Sequence, residues 1–461
     1  MIAELKRRWS EPAGHSQLLI VAFPLILSMG SISVLLFVDR MFLSWYSEDA
    51  IAAAVPAGML NFSVLCFFLG VSMYTSTFVA QYTGAKRPER VGPSVWHGIY
   101  FALLGGSIIP LAAPFAEQIF AFIGHDPGVQ KLEASYFKIL NFAAVFFLCN
   151  ASMSCFYSGR GKSWTIVWVN VSLTLANALL DYALIFGNWG FPRMGIEGAG
   201  IATLVSSAMV TITYALLILR PSNNTRYRTR SGWRFDKDLL KRLIRFGTPA
   251  GMHFFLDVTG FTIFVMLVGR IGINELTATN IILMVNLLGF LPMVGLGTAT
   301  SILVGQYQGA GQNKLARRTT WSSLQLSMIY CSIVVLIYIS VPEILIQPFI
   351  KNPDTLKNQE LLELCLLLFK FIAAFTFLDS VAIITGSTLK GAGDTRFVMT
   401  TLAITSLFIL VIPVYLVVEV MGGTLAIAWA FALLNLLTVS IVFFIRFQSE
   451  RWENIEVIEQ Q

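Results

Sequence analysis

Four carboxylates stand inside long apolar runs of this sequence: Asp39 in SVLLFVDRMFLSW, Asp181 in NALLDYALIFG, Asp257 in HFFLDVTGF and Asp379 in FTFLDSVAIITG. An acid within a hydrocarbon layer costs about 2.5–3.5 kcal/mol on insertion scales, so each must be compensated by a partner or retained for a task. Asp39 and Asp181 each precede the end of their run by about seven residues, which is ~10 Å at ~1.5 Å per helical residue, so the two can share one site. Asn177, four residues before Asp181, sets an amide on the same helical face one turn away. Two carboxylates with amide and hydroxyl oxygens form a hard-ligand cluster suited to Na+, or a like-charge pair that holds a proton. Arg40 is a poor partner for Asp39, because adjacent residues on a helix do not face each other.

Asp257 and Asp379 lie nearer the middle of their runs, in the second half of the chain. His253 precedes Asp257 by one turn. One His–Asp pair supplies too few ligands for a transition metal, so proton relay or hydrogen bonding is expected there. Lys370 is read as the amine well inside that half, either neutralising an acid or reaching for the surface.

These residues need a scaffold that can hold charge in lipid, and composition supplies one. Of the 461 residues 56% are hydrophobic and 13% charged, too few charges to cover a soluble surface. A hydrocarbon core of about 30 Å takes roughly 20 apolar residues per crossing. Cutting the chain at charged, Gly and Pro clusters leaves twelve such segments: 17–46, 50–83, 94–123, 132–158, 164–188, 195–219, 239–270, 276–309, 319–350, 360–389, 397–420 and 424–445. The runs are continuous rather than alternating, which excludes a membrane β-barrel. The segment after Lys6, Arg7 and Arg8 is too long for a signal peptide and lacks a small-residue cleavage site, so it reads as the first span.

The net charge of +6 is explained by topology. Twelve spans leave both termini on one side, and 24 of the 32 Lys and Arg lie in the termini and loops of that side, which marks it as cytoplasmic. The other eight are Arg40, Lys131, Lys138, Arg193, Arg270, Lys351, Lys357 and Lys370. The largest basic block, at 220–245, connects spans six and seven, so nucleic acid is not expected as a partner. Trp45 and Trp189 fall at outer span ends, and Trp96, Trp164 and Trp321 at inner ones, as an interfacial belt places them. Cys66, Cys149, Cys155, Cys331 and Cys365 lie in apolar runs without pairing spacing and read as packing residues.

The chain repeats itself. GVSMYTSTFVAQYTGAKRPERV from Gly70 aligns without a gap on GLGTATSILVGQYQGAGQNKLA from Gly295. YSGRGKSW from Tyr157 matches LKGAGDTR from Leu389 at a slightly larger offset. Corresponding spans run in the same direction, so this is a parallel repeat, an arrangement found in transporters. Pro24, Pro56, Pro249 and Pro292 fall inside spans and mark kinks or hinges. Met59, Met73, Met252, Met266, Met284 and Met293, with many phenylalanines, are soft side chains suited to an adaptable cleft, or to packing.

These residues together resemble the multidrug and toxic compound extrusion (MATE) family. The resemblance is carried in order by the FP opening span one, VDRMFLSW, VAQYTGA, DYALIFGNWGFPRMGIEGAGIATL, FGTPAGMHFFLD, VGQYQGAG and FLDSVAIITGSTLKGAGDT. It implies an all-α polytopic membrane protein, with twelve helices as two six-helix lobes around a central cleft. It also implies export of amphipathic, mostly cationic compounds by alternating access, in exchange for Na+ or H+. By position, Asp39, Asn177 and Asp181 look like the cation site of the amino lobe, with Thr203 as a further contributor, and Na+ is the metal considered there. Asp257 and Asp379 look like the carboxy-lobe acids, where the span-seven residue is usually Glu; a carboxylate one methylene shorter reaches less far.

The lobes are expected at 1–219 and 239–446, joined by a basic loop at 220–238 and followed by a tail at 447–461. No cofactor beyond the coupling ion is expected, and the chain is expected to act as a monomer in the bacterial inner membrane with both termini cytoplasmic. A lipid-linked saccharide flippase of the same superfamily is the alternative; it would favour a basic cleft. An intramembrane hydrolase would need a GxD pair, a Ser–His pair or HExxH, none of which stands at a plausible position, so the chain is not read as an enzyme. No pore-loop filter sequence marks it as a channel.

Overall fold

The computed structural model describes Trp9, residues 11–349 and residues 356–459, apart from the side chains of 123, 288 and 356–358. Lys6, Arg7, Arg8 and Lys351 lie outside the described residues, as does the side chain of Lys357. Twelve helices among the described residues are long and apolar enough to cross a membrane. The first six are α1 (His15–Tyr46), α2 (Glu48–Gly84), α3 (Val91–Ile108), α4 (Pro127–Ser158), α5 (Trp164–Phe186) and α6 (Ile196–Ile218). The second six are α7 (Lys237–Ile271), α8 (Ile273–Gly309), α9 (Asn313–Ser340), α10 (Leu356–Ala392), α11 (Thr395–Val420) and α12 (Leu425–Gln448).

Local chemistry sets the ends. Ser47 caps α2 by accepting from the Ala50 amide at 3.0 Å, and Gly187, at φ 76°, closes α5 in the left-handed region that glycine tolerates. Beyond Thr405, α11 continues to Val420 through two wider turns that flank Pro413, a residue unable to donate the next helical hydrogen bond. Large apolar side chains such as Phe37, Leu104, Trp168, Leu216, Ile339 and Ile445 are exposed, which suits lipid contact rather than water. Pro24, Pro56, Pro249 and Pro292 all lie inside helices.

The chain forms two compact units whose limits differ from the lobes expected at 1–219 and 239–446. The amino unit comprises Leu27–Met252, Gly309–Gly311 and Val457–Gln461. The carboxy unit comprises Met1–Ile26, His253–Gln308 and Gln312–Glu456. The chain thus passes from one unit to the other inside α1, after Ile26, and inside α7, after Met252. Each crossing comes just after a proline, Pro24 in the first and Pro249 in the second. A helix is easiest to redirect where a hydrogen bond is already missing.

Each unit has its own core. In the amino unit Ala50, Ala53 and Ala57 of α2 bring its backbone close to α4, where Phe137 and Leu140 pack with Leu43, Phe120 and Ile185. In the carboxy unit Trp429 packs edge-on against Phe264 and donates to the Thr279 hydroxyl at 3.3 Å.

The repeat is visible atom by atom. The Arg87 amide donates to the Tyr82 carbonyl at 2.9 Å, and at the matching position of the second copy the Gln312 amide donates to Tyr307 at 2.8 Å. The turn between has φ 56° at Lys86 and 69° at Gly311. In the second matched pair, Lys162 donates to Tyr157 at 2.9 Å and Asp394 to Leu389 at 2.8 Å. A Cβ on Gly159 would stand 2.7 Å from the Ser76 carbonyl oxygen, and one on Gly391 would stand 2.4 Å from that of Ser301. Ser76 and Ser301 occupy the same place in the aligned stretches from Gly70 and Gly295, so the same close helix approach is made twice.

Candidate functional site

In the amino unit the sequence places the acids on α1 and α5, and the structure seals them. Asp39 is 6% exposed, Asn177 1% and Asp181 0%. Arg40, the next residue, is exposed, and its charge still acts on the Asp39 carboxylate. The two carboxylates are charge neighbours, and the Tyr136 hydroxyl of α4 stands at the Asp39 carboxylate. Tyr136 can be there because Gly200 of α6 lacks a side chain: a Cβ would lie 3.0 Å from Ile139 and 3.3 Å from the Tyr136 ring.

Five polar atoms of this cluster are buried without a hydrogen-bond partner: Oδ1 of Asp39, both amide atoms of Asn177 and both carboxyl oxygens of Asp181. Buried polar groups are nearly always satisfied in folded proteins, so a concentration of unpartnered oxygens marks this cluster as the candidate site. Its chemistry is oxygen ligation or proton storage. Among the described residues no group of three or more His, Cys, Asp or Glu has the arrangement of a metal site. Thr203 lies half-buried on α6, where its carbonyl accepts the Ser206 hydroxyl at 3.2 Å.

The carboxy unit keeps its acids differently. His253 and Asp257 follow each other by one turn of α7; His253 is half-buried and Asp257 exposed. Asp379 of α10 is a charge neighbour of Asp257. The amine facing them is Lys390, whose charge acts on both Asp257 and His253. Lys370 is exposed on α10 and is not that partner. Span ten, expected from the sequence to end at 389, leaves Lys390 in a loop, whereas α10 runs on to Ala392. From Asp379 to Lys390 the helix makes close to three full turns, so both project from one face. Of the methionines, Met59, Met73, Met266 and Met284 are exposed, while Met293 is buried 3.4 Å from the Cys331 thiol and serves packing.

Tyr136 and Lys390 are the site residues that sequence reasoning missed. Tyr136 carries no spacing signal linking it to α1. Lys390 had one, its three-turn distance from Asp379.

Known proteins share this architecture. The MatE family model matches residues 24–183 and 249–417. A probable multidrug resistance protein NorM of Brucella suis is 27% identical over 385 residues, covering 82% of this chain and 81% of its own. The probable NorM of Thermotoga maritima is 25% identical over 432 residues, covering 92% and 90%. Among solved structures, an outward-facing multidrug resistance MATE family transporter of the MOP superfamily superposes with a TM-score of 0.85 at 18% identity, over 97% of each chain. A MOP superfamily transporter from Pyrococcus furiosus, described as having a binding pocket of reversed polarity, gives 0.85 at 18% identity over 96% and 97%.

Proposed function

We propose, from the premise that this chain belongs to the MatE family of transporters, that it exports amphipathic, mostly cationic compounds by alternating access in exchange for Na+ or H+. The observation that carries this reading is the sealed cluster of Asp39, Asn177 and Asp181, with five polar atoms and no partner for any of them. A structural ion pair would have satisfied those atoms within the protein. A coupling site must leave them for a passing cation.

The named relatives support multidrug efflux as the task, and the Lys and Arg bias supports cytoplasmic termini in a bacterial plasma membrane. The chain acts as a monomer in this reading. Lys390 is the one observation that favours a lipid-linked saccharide flippase, which would use a basic surface, but its charge neighbour is Asp257, which Asp379 in turn neighbours, so the acids of this unit outnumber it.

The test is efflux of ethidium from cells producing the wild-type chain or Asp39→Asn. Loss of efflux, and of its dependence on Na+ or pH, is the expected result. Asp39→Asn efflux equal to wild type would end the proposal.

A further inference from the structure

The amino unit holds another buried acid that the cluster above does not use. Glu133, on the second turn of α4, is 0% exposed, and its Oε2 has no hydrogen-bond partner. Its Oε1 meets Nδ1 of His125 at 2.7 Å, and the His125 side chain, in the turn before α4, is 42% exposed. That turn is held by its own contacts: Asp126 accepts from the Gly128 amide at 3.0 Å, and the Gln130 side chain donates to the His125 carbonyl at 2.5 Å. The clasp is therefore not what shapes the loop.

The other charged groups at this end of the unit turn outward. Arg40 on α1, Glu48 and Asp49 on α2, Lys131 on α4 and Glu197 on α6 are exposed, and Glu117 pairs with Lys138 at 2.7 Å. Glu133 is left as the buried charge on the way from His125 to the Asp39 cluster. Tyr136 lies three residues further along the same helix face. Its hydroxyl stands at Asp39.

Resting on the cation-coupled reading above, we propose that His125 and Glu133 form a proton-conducting step from the face opposite the termini to Asp39 and Asp181, so that the ion reaching the amino unit is H+. A proton from water adds to Nε2 of His125, and the proton on Nδ1 passes along the 2.7 Å hydrogen bond to Oε1 of Glu133. The ring returns to neutral and Glu133 becomes a carboxylic acid. Release of that proton toward Asp39, where the Tyr136 hydroxyl stands, returns Glu133 to its carboxylate and makes Asp39 the carboxylic acid. Na+ would need several oxygens at each stage, where this path offers one carboxylate beside an imidazole.

The test uses the full-length protein in liposomes, with ethidium as the probe and external pH stepped between about 5 and 8 while drug-driven proton flux is followed. Glu133→Gln, which keeps the shape but cannot carry the proton, lowers the flux roughly tenfold with ethidium affinity unchanged. Glu133→Asp restores part of it. His125→Gln alters how the flux depends on external pH and, being at an exposed position, leaves the fold intact. A merely structural clasp would lower thermal stability and leave the pH profile as in wild type, and that result overturns the proposal. Wild-type flux driven by Na+ and indifferent to external pH overturns it as well. Asp39→Asn, run in parallel, separates the two readings. If it is as active as wild type, the coupling site and the path both fall; if it is inactive while Glu133→Gln is fully active, the path alone falls.

Discussion

The amino unit seals its acids and leaves them unpartnered, whereas the carboxy unit leaves Asp257 open and sets Lys390 and His253 beside it. This contrast sits on a scaffold that is otherwise duplicated, down to the turn hydrogen bonds at Tyr82 and Tyr307 and the glycine contacts at Gly159 and Gly391. The acids do not follow the repeat. Carried forward by the offset that takes Gly70 to Gly295, Asp39 falls on Phe264, a core residue; carried back by it, Asp257 falls on Ile32, which is exposed. What is copied is the set of close helix approaches. What is not copied is the charge. On the function proposed above, the sealed oxygens of the amino unit would take the small ion, and Asp257 of the carboxy unit, facing an amine, would take the bulkier cation in that amine's place.

The largest effect expected from breaking this contrast is at Asp181. Asp181→Leu removes a fully buried carboxyl with two unsatisfied oxygens, so it raises stability by about 1–3 kcal/mol. The same change abolishes ethidium transport. Thermal unfolding of the purified protein and flux in liposomes read the two together, and opposite signs are the signature of a site kept for function at the expense of the fold. If Asp181→Leu instead unfolds the protein, the pair is holding the helices together and the unit is not primed for an ion.

A middle-sized effect is expected at Lys390. Lys390→Met leaves Asp257 without its amine, and because Asp257 is exposed the change is screened. Ethidium binding, followed by fluorescence titration, tightens roughly three- to tenfold. Turnover falls by less than at Asp181. An unchanged affinity would show that the open acid of the carboxy unit does not meet the cargo.

How much of this could be read beforehand follows from how strongly each feature is marked in one dimension. The spans are marked by roughly 20 apolar residues each, and α1 to α12 match the twelve segments to within a few residues at most ends. The repeat is marked by Gly-rich turns that tolerate few sequences. The sharing of α1 and α7 between units is marked faintly, by Pro24 and Pro249, which look like any other proline in a membrane helix. Tyr136 and Glu133 are marked hardly at all. Glu133 lies beside the start of its span, where an acid usually meets headgroups, and only packing reveals that it is buried. Lys390 was hidden by an end drawn a turn too early, at a Gly-rich stretch that α10 in fact includes.

The smallest effect concerns the chain ends, which dock at equivalent tyrosines with unlike chemistry. In the carboxy unit the Tyr307 hydroxyl donates to the Gln17 amide oxygen at 2.7 Å, a neutral contact, with Glu11 and Arg318 paired nearby. In the amino unit the Tyr82 hydroxyl donates to Glu459 at 2.6 Å, while Arg90 meets the same carboxylate at 2.9 Å and Arg87 at 3.3 Å. Burial works against the Glu459 charge, but the Tyr82 hydrogen bond and the two arginines hold its carboxyl below its ordinary value. A lowered folded value means the charged contact is fully present at neutral pH. It weakens as pH falls through the ordinary glutamate range, near about 4.3, and is gone below the folded value. The pairs are partly exposed, so the loss amounts to under about 1 kcal/mol. Hydrogen exchange, corrected for its intrinsic pH dependence, then shows the peptide around Glu459 losing protection in acid while the peptide around Gln17 keeps more of its own. Glu459→Gln reproduces the acid state at neutral pH. A tail that stays protected through both changes is held by the fully buried Val457 and not by its charge, and the difference between the two docking sites would then be one of residue type without consequence.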